Sequence, residues 1–368
     1  MRQYPTTSLF LLPLINESFI MKAYTLMVYC SIDQKEETMK KIINRPEDIV
    51  EEMINGLVAT HEDIVHRVND TRVVARNYEG KGKVGLISGG GSGHEPSHAG
   101  FVGKGMLSAA VCGDVFTSPT VDQVYEGIKA ADKGAGVFLV IKNYTGDVIN
   151  FTMAKEMAEE MDNIKVDFVI TNDDIAVEDS TWTEGRRGVA GTVLVHKILG
   201  ALAENGASLE EIKVEGERLI KEMATLGLAL TPAIVPQAGK PGFELGEDEI
   251  EFGLGIHGEP GYRRAKLQPS KDLAKEFIDK IVAELKLEAN EKVVAFVNGL
   301  GGTPLMEQYV FMNDVLNLLG EHKLNVVRKV IGNKMTSIEM QGISLTVLRV
   351  RDPRWVDYLD QEVKVAAW

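Results

Sequence analysis

Three short stretches set chemically active side chains among glycines. In the first, Ile87-Ser88-Gly89-Gly90-Gly91-Ser92-Gly93-His94-Glu95-Pro96, a titratable ring follows a glycine cluster that itself follows an apolar run. Glycines lack a Cβ, so backbone amides there can crowd a phosphate or a small hydroxylated ligand. The second, Lys142-Asn143-Tyr144-Thr145-Gly146-Asp147, gathers an ammonium, an amide, hydroxyls and a carboxylate behind another apolar run. Such a polar cluster at a strand end suits a sugar-like substrate. Taken alone, Asp147 also fits a plain helix N-cap. The third, Gly253-Leu254-Gly255-Ile256-His257-Gly258-Glu259-Pro260-Gly261, holds a histidine between small neighbours that leave its ring reachable. A structural histidine is the alternative reading of that position.

The same residues exclude several chemistries. Neither Gly89 nor Gly91 opens a complete Gly-x-Gly-x-x-Gly dinucleotide loop, and Lys104 is followed by Gly105 rather than by serine or threonine, so no Walker loop is present. His94-Glu95-Pro96-Ser97-His98 matches the His-Glu-x-x-His zinc signature in letters, but that chemistry needs both rings on one face of one helix. Pro96 belongs in a first helical turn, so a helix is expected to begin near Glu95, leaving His94 in the loop and no metal bound. His61, His66, His196 and His322 fall in helical patterns, where surface or packing roles are expected. Two cysteines, Cys30 and Cys112, are too few for a disulfide framework. The formal charge of −14, spread along the chain, opposes nucleic acid and anionic membranes and, with the cysteine count, points to the cytoplasm.

The elements that must position these residues follow from periodicity. Apolar residues from Pro46 to about Val68 recur at helical spacing. Strand-like runs then alternate with helical stretches, as at Val84–Ile87, Gly136–Ile141 and Val166–Ile170, which implies a mostly parallel sheet covered on both faces. Helices are expected near Gly188–Asn205 and Leu209–Leu226. A second set follows, with strands near Phe252–Ile256, Val293–Val297, Asn325–Val330 and Ile343–Val350 and helices near Lys271–Leu285 and Pro304–Leu319. The chain of 368 residues therefore divides into an extension over 1–38, an N-terminal α/β domain over 39–226 and a smaller C-terminal α/β domain over 227–368 that carries His257. The apolar run Leu9–Ile15 is too short to span a membrane. Lys35-Glu36-Glu37 requires a purine-rich codon run of the kind that precedes a bacterial start, so translation is expected to begin at Met39.

In order and spacing, GGGSGHEP, GDVFTSP at Gly113–Pro119, KNYTGD, GRRG at Gly185–Gly188 and GIHGEPG resemble the dihydroxyacetone kinase K-subunit family from Met39 onward. The resemblance implies a two-domain homodimer that binds dihydroxyacetone as a hemiaminal on the ring nitrogen of His257. It also implies His94 as general base or proton relay, Asp147 as the acidic partner of a substrate hydroxyl, and Gly91, Ser92, Gly93 and Lys142 as substrate contacts. Of the two bases His94 ranks first, because an imidazole titrates nearer neutral pH. No cofactor is expected in this chain. The resemblance places ADP with magnesium on a partner L subunit, recharged by a multiphosphoryl M subunit of the phosphotransferase system. The chain ends without the helical ATP domain of single-chain kinases and should be inactive alone. Two rivals are a K-like dihydroxyacetone sensor acting as a transcriptional co-activator and a free-standing ketose isomerase or aldolase.

Overall fold

Short runs rich in valine and isoleucine become strands, and stretches with apolar residues three and four apart become the helices that cover them. The computed structural model describes residues 40–178 and 183–368, so the extension expected over 1–38 lies outside the described residues. In the first half, β1 (Val65–Arg67), β2 (Val73–Arg76), β3 (Gly85–Ser92), β4 (Ala109–Val115), β5 (Val137–Lys142) and β6 (Val166–Thr171) form a sheet in the order β1-β2-β4-β3-β5-β6. β4, β3, β5 and β6 run parallel, while β1 and β2 form an antiparallel edge. Parallel strands need helical crossovers, which bury both faces. One face packs Ile87, Val111 and Leu139 against α2 (Val121–Ala131) and α3 (Thr145–Asp162). The other packs Leu86, Phe138 and Val140 with α1 (Ile49–Thr60), α4 (Gly191–Glu204) and α5 (Leu209–Leu219).

The second half repeats the plan with different strand directions. β7 (Met223–Ala229), β8 (Glu249–Phe252), β9 (Arg263–Lys266), β10 (Lys292–Gly299), β11 (Asn325–Gly332) and β12 (Gly342–Arg349) lie in the order β11-β10-β12-β7-β8-β9. Only β10 and β11 pair in parallel. α6 (Ser270–Leu285) and α7 (Leu305–Glu321) cover one face through Phe277, Ile281 and Phe311. From the opposite face Val294, Phe296 and Leu348 join the cluster that contains α4. That helix is buried almost all round, as a helix apolar on every side should be when it lies inside a core. The two α/β domains thus share packing around α4. Truncating Phe296 to alanine is expected to cost about 3–5 kcal/mol through the cavity left in that shared core.

Several boundaries differ from the sequence expectation. α1 stops at Thr60, and Val65–Arg67 pairs as a strand with β2. α5 starts on a capping box, with Ser208 and Glu211 each satisfying the other's backbone N–H, but it ends at Leu219. The residues expected to continue it form β7, whose alternating inward side chains Leu226 and Leu228 pack under α6 and α7. Gly227, where a division was expected, lies inside this strand and pairs with Ser344. The strand expected over Phe252–Ile256 ends at Phe252, because Gly253 adopts φ +74° and turns the chain. Among the described residues no helix is long and apolar enough to cross a membrane.

Candidate active site

β3 ends in the glycine run, and its backbone must pass close to the end of β5. Gly90 has φ +149°, and a Cβ there would fall on the Lys142 ammonium, so only glycine fits. Beyond Ser92 the expected helix does not form. Residues 93–98 are instead bent and held by the loop after β11: Ile338 N–H donates to Gly93 O at 2.7 Å, Thr336 Oγ1 to Glu95 O at 2.8 Å and Ser97 Oγ to Lys334 O at 2.7 Å. The first two bonds use carbonyls that a helix would need for itself. The clamp fixes His94 at the seam between the two domains.

His94 is fully buried and its Nδ1 lies 2.7 Å from the carbonyl of Thr336. Its Nε2 lies 3.0 Å from Nε2 of His257, with the rings edge to face at 71°. On the far side of His257, Nδ1 is 3.1 Å from Oε1 of Glu259. Carbonyl and carboxylate oxygens only accept, so both Nδ1 atoms carry hydrogen. Burial drives the His94 pKa well below its usual value, helped by the nearby charges of His257 and Lys142. Burial alone would raise the Glu259 carboxyl, but the hydrogen bond and charge of His257, with Arg187, bring it down to about 2. Phe116 stacks on His94 with centroids 5.2 Å apart, and Tyr144 meets the His257 ring edge-on at 4.5 Å.

His257 forms part of the wall of a cleft of about 420 Å³, together with Gly91, Phe116, Tyr144 and Asp147. α3 begins at Thr145 after Tyr144, so Asp147 lies in its first turn and does not cap it. Its Oδ2 accepts from Lys142 Nζ at 3.1 Å, and Lys142 also donates to Gly89 O at 3.2 Å. Asp147 Oδ1 and the Tyr144 hydroxyl are buried without a hydrogen-bond partner. Burial raises the Tyr144 pKa well above its usual value, so this hydroxyl stays a donor. The cleft wall thus holds an orphan acceptor, an orphan donor and an imidazole, groups that suit a small molecule with both hydroxyl and carbonyl groups.

The residues singled out in sequence separate into groups. His257, Asp147 and Gly91 line the cleft, and His94 lies directly behind His257. Lys142 is fully buried behind Asp147. Ser92 and Gly93 border a separate small apolar cavity beside α1, and Ser92 Oγ is engaged with Gly113 O at 2.8 Å. His98 turns away from His94 and meets the buried His196 at 2.9 Å. Sequence reasoning passed over Glu259, Tyr144 and Phe116. Glu259 and Tyr144 carried a signal, since each stands in a quoted motif beside a chosen residue. The carbonyl of Thr336 carried none. Of the two arginines in the GRRG run, Arg187 is wholly buried and ion-paired with Asp174, while Arg186 meets Glu284 near the surface.

Fold and cleft together define a two-domain α/β protein built to seat a small polar molecule at the seam between its sheets. Residues 55–367 match the Dak1 domain model, and the chain belongs to the Dak1 family of dihydroxyacetone kinase subunits, which are phosphotransferases. It is 63% identical over 330 residues to the dihydroxyacetone-binding subunit DhaK of PTS-dependent dihydroxyacetone kinase 1 from Listeria innocua, covering 90% of this chain and 100% of that one. The DhaKLM operon coactivator DhaQ of Lactococcus lactis is 43% identical over 330 residues, covering 89% and 100%. Among solved structures, the C. freundii dihydroxyacetone kinase in its native form superposes with a TM-score of 0.81 at 34% identity, covering 90% of this chain and 60% of that one.

Proposed function

We propose that the chain binds dihydroxyacetone as a hemiaminal on His257 and presents it for phosphorylation by a separate subunit. The observation that carries this reading is the Glu259-His257-His94 series ending on a cleft beside the orphan Asp147 Oδ1. In the first step the lone pair of His257 Nε2 attacks the ketone carbon. The C=O π pair moves to oxygen, which takes a proton from water in the cleft, and the ring is left as an imidazolium whose Nδ1–H faces Glu259. Tyr144 and Asp147 hold the hydroxyls. Glycerol, which has no carbonyl, is refused by the chemistry rather than by shape.

In the second step a terminal hydroxyl oxygen attacks phosphorus, its bond to the ADP leaving group breaks, and a base takes the hydroxyl proton. Asp147 lines the cleft while His94 is enclosed behind His257, so we assign that proton to Asp147, reversing the order suggested by sequence. The C–N bond then breaks and the ketone re-forms as dihydroxyacetone phosphate leaves. ADP with magnesium belongs to the L subunit, the M subunit recharges it from the phosphotransferase system, and the chain works as a cytoplasmic homodimer. The co-activator reading ranks second, because identity to the kinase subunits, 63% and 57%, exceeds the 43% to the coactivator.

The test is carbon-13 NMR of dihydroxyacetone labelled at C2. Binding should move its resonance from the ketone to the tetrahedral region. A ketone resonance in the fully bound complex would sink the hemiaminal. The chain with ATP alone should show no turnover, and turnover there would defeat the divided-subunit reading.

A further inference from the structure

Glu259 stands two residues after His257, and its side chain is only 1% exposed. Both carboxylate oxygens are committed to that histidine. Oε2 accepts from the His257 backbone N–H at 2.9 Å and Oε1 from Nδ1 at 3.1 Å. The Gly255 N–H donates to the Glu259 carbonyl at 2.9 Å, closing residues 255–259 into a turn. Behind the turn, buried Arg187 donates to Asp174 Oδ2 at 2.8 Å and to Gly253 O at 2.7 Å, while its Nη1 has no hydrogen-bond partner. A Cβ on Gly255 would collide with Glu259 Oε2 and come within 2.6 Å of that Nη1, so the guanidinium and the carboxylate flank one point of the turn.

We propose that Glu259, backed by Arg187, is a positioning residue that keeps Nδ1 of His257 protonated and leaves Nε2 as the atom that bonds to substrate. This rests on the hemiaminal reading. When Nε2 bonds to carbon and the oxygen gains its proton, the ring retains Nδ1–H and becomes an imidazolium. The facing carboxylate balances that charge without any movement. Without Glu259 the two neutral tautomers compete, and the Nε2–H form has no lone pair to offer the ketone.

A carboxylate that merely closed the turn would not set the tautomer, and Glu259→Gln separates the two roles. The amide oxygen can still accept the His257 backbone N–H, but the NH₂ group then faces Nδ1 and donates to it, enforcing Nε2–H. Capture of labelled dihydroxyacetone should fall by about 100-fold. Nitrogen-15 NMR should show the His257 proton moved from Nδ1 to Nε2, with the thermal midpoint near that of the unaltered protein. Gly255→Ala is the second approach, since it displaces the carboxylate without removing its charge and its backbone is not in the left-handed region. Its capture should fall by at least about tenfold. If the unaltered protein forms no tetrahedral C2, the hemiaminal reading fails and takes this inference with it. If it does, the inference alone is overturned by full capture in either variant, or by lost capture in Glu259→Gln with Nδ1 still protonated.

Discussion

The molecule contains two histidine pairs of nearly the same geometry and very different surroundings. His94 and His257 meet at 3.0 Å with centroids 4.8 Å apart, and His98 and His196 meet at 2.9 Å with centroids 5.1 Å apart. Both are edge-to-face contacts, at 71° and 65°. The first pair ends on a carboxylate and a cleft. The second is enclosed, and the outer nitrogens, His98 Nε2 and His196 Nδ1, have no partner. Burial lowers both of its pKa values, that of His196 to about 3, and no carboxylate opposes the shift. One ring donates to the other and both stay neutral. Contact between imidazoles is therefore not itself a sign of chemistry. An acidic partner and access to the cleft distinguish the working pair, the one proposed to hold substrate.

The largest expected effect breaks the working pair. His257→Ala should abolish the tetrahedral C2 resonance of bound dihydroxyacetone, whereas His196→Gln should leave capture within about twofold, because the enclosed pair touches no cleft. Equal loss in both variants would erase the distinction between the pairs. Asp147→Asn comes next. It keeps a polar group of the same size beside Lys142 but removes the proposed base, so turnover with the proposed L subunit should fall by about 10²–10³ while capture persists. Rate measurements under saturating substrate check this, and loss of capture instead would make Asp147 a binding group only.

The working pair was half legible in the sequence. His257 and His94 stood out because glycines surround them at the ends of apolar runs, and Asp147 because it shares such an end with Lys142. The relation between the two rings was not legible, since it depends on the loop after β11 donating to Gly93 O and thereby bending residues 93–98. Glu259 was visible as a letter in a motif, but its role needs the turn that brings both oxygens back to His257. His196 looked like one more packing histidine, and its partner His98 was hidden in a false zinc signature. At the level of the fold, alternating strands and helices revealed a parallel first sheet, but the second is mainly antiparallel. Its apolar runs read the same way in either direction, and the choice rests on pairings such as β7 with β12 across more than a hundred residues. The overlong helix after Leu209 has the same cause: pairing with β12 overrides helical spacing once Leu219 is passed.

The smallest expected effect concerns the enclosed pair and appears in stability rather than activity. His196 has its pKa lowered from 6.5 to about 3 by burial, with a smaller contribution from the Lys142 charge. Above pH 6.5 the ring is neutral in folded and unfolded chains alike and contributes no pH dependence. Between 6.5 and about 3 the unfolded chain binds a proton there that the folded chain refuses, so stability falls as pH falls. The slope from this one group is about 1.4 kcal/mol per pH unit. Glutamine at position 196 does not titrate and can still donate to His98 Nδ1, so His196→Gln should flatten the dependence by that amount. Urea unfolding at a series of pH values from neutrality downward measures it. His94 and His98 are held neutral mainly by burial, which the substitution leaves in place, so the difference between the two curves reports His196. An unchanged slope would mean that His196 accepts a proton in the folded protein.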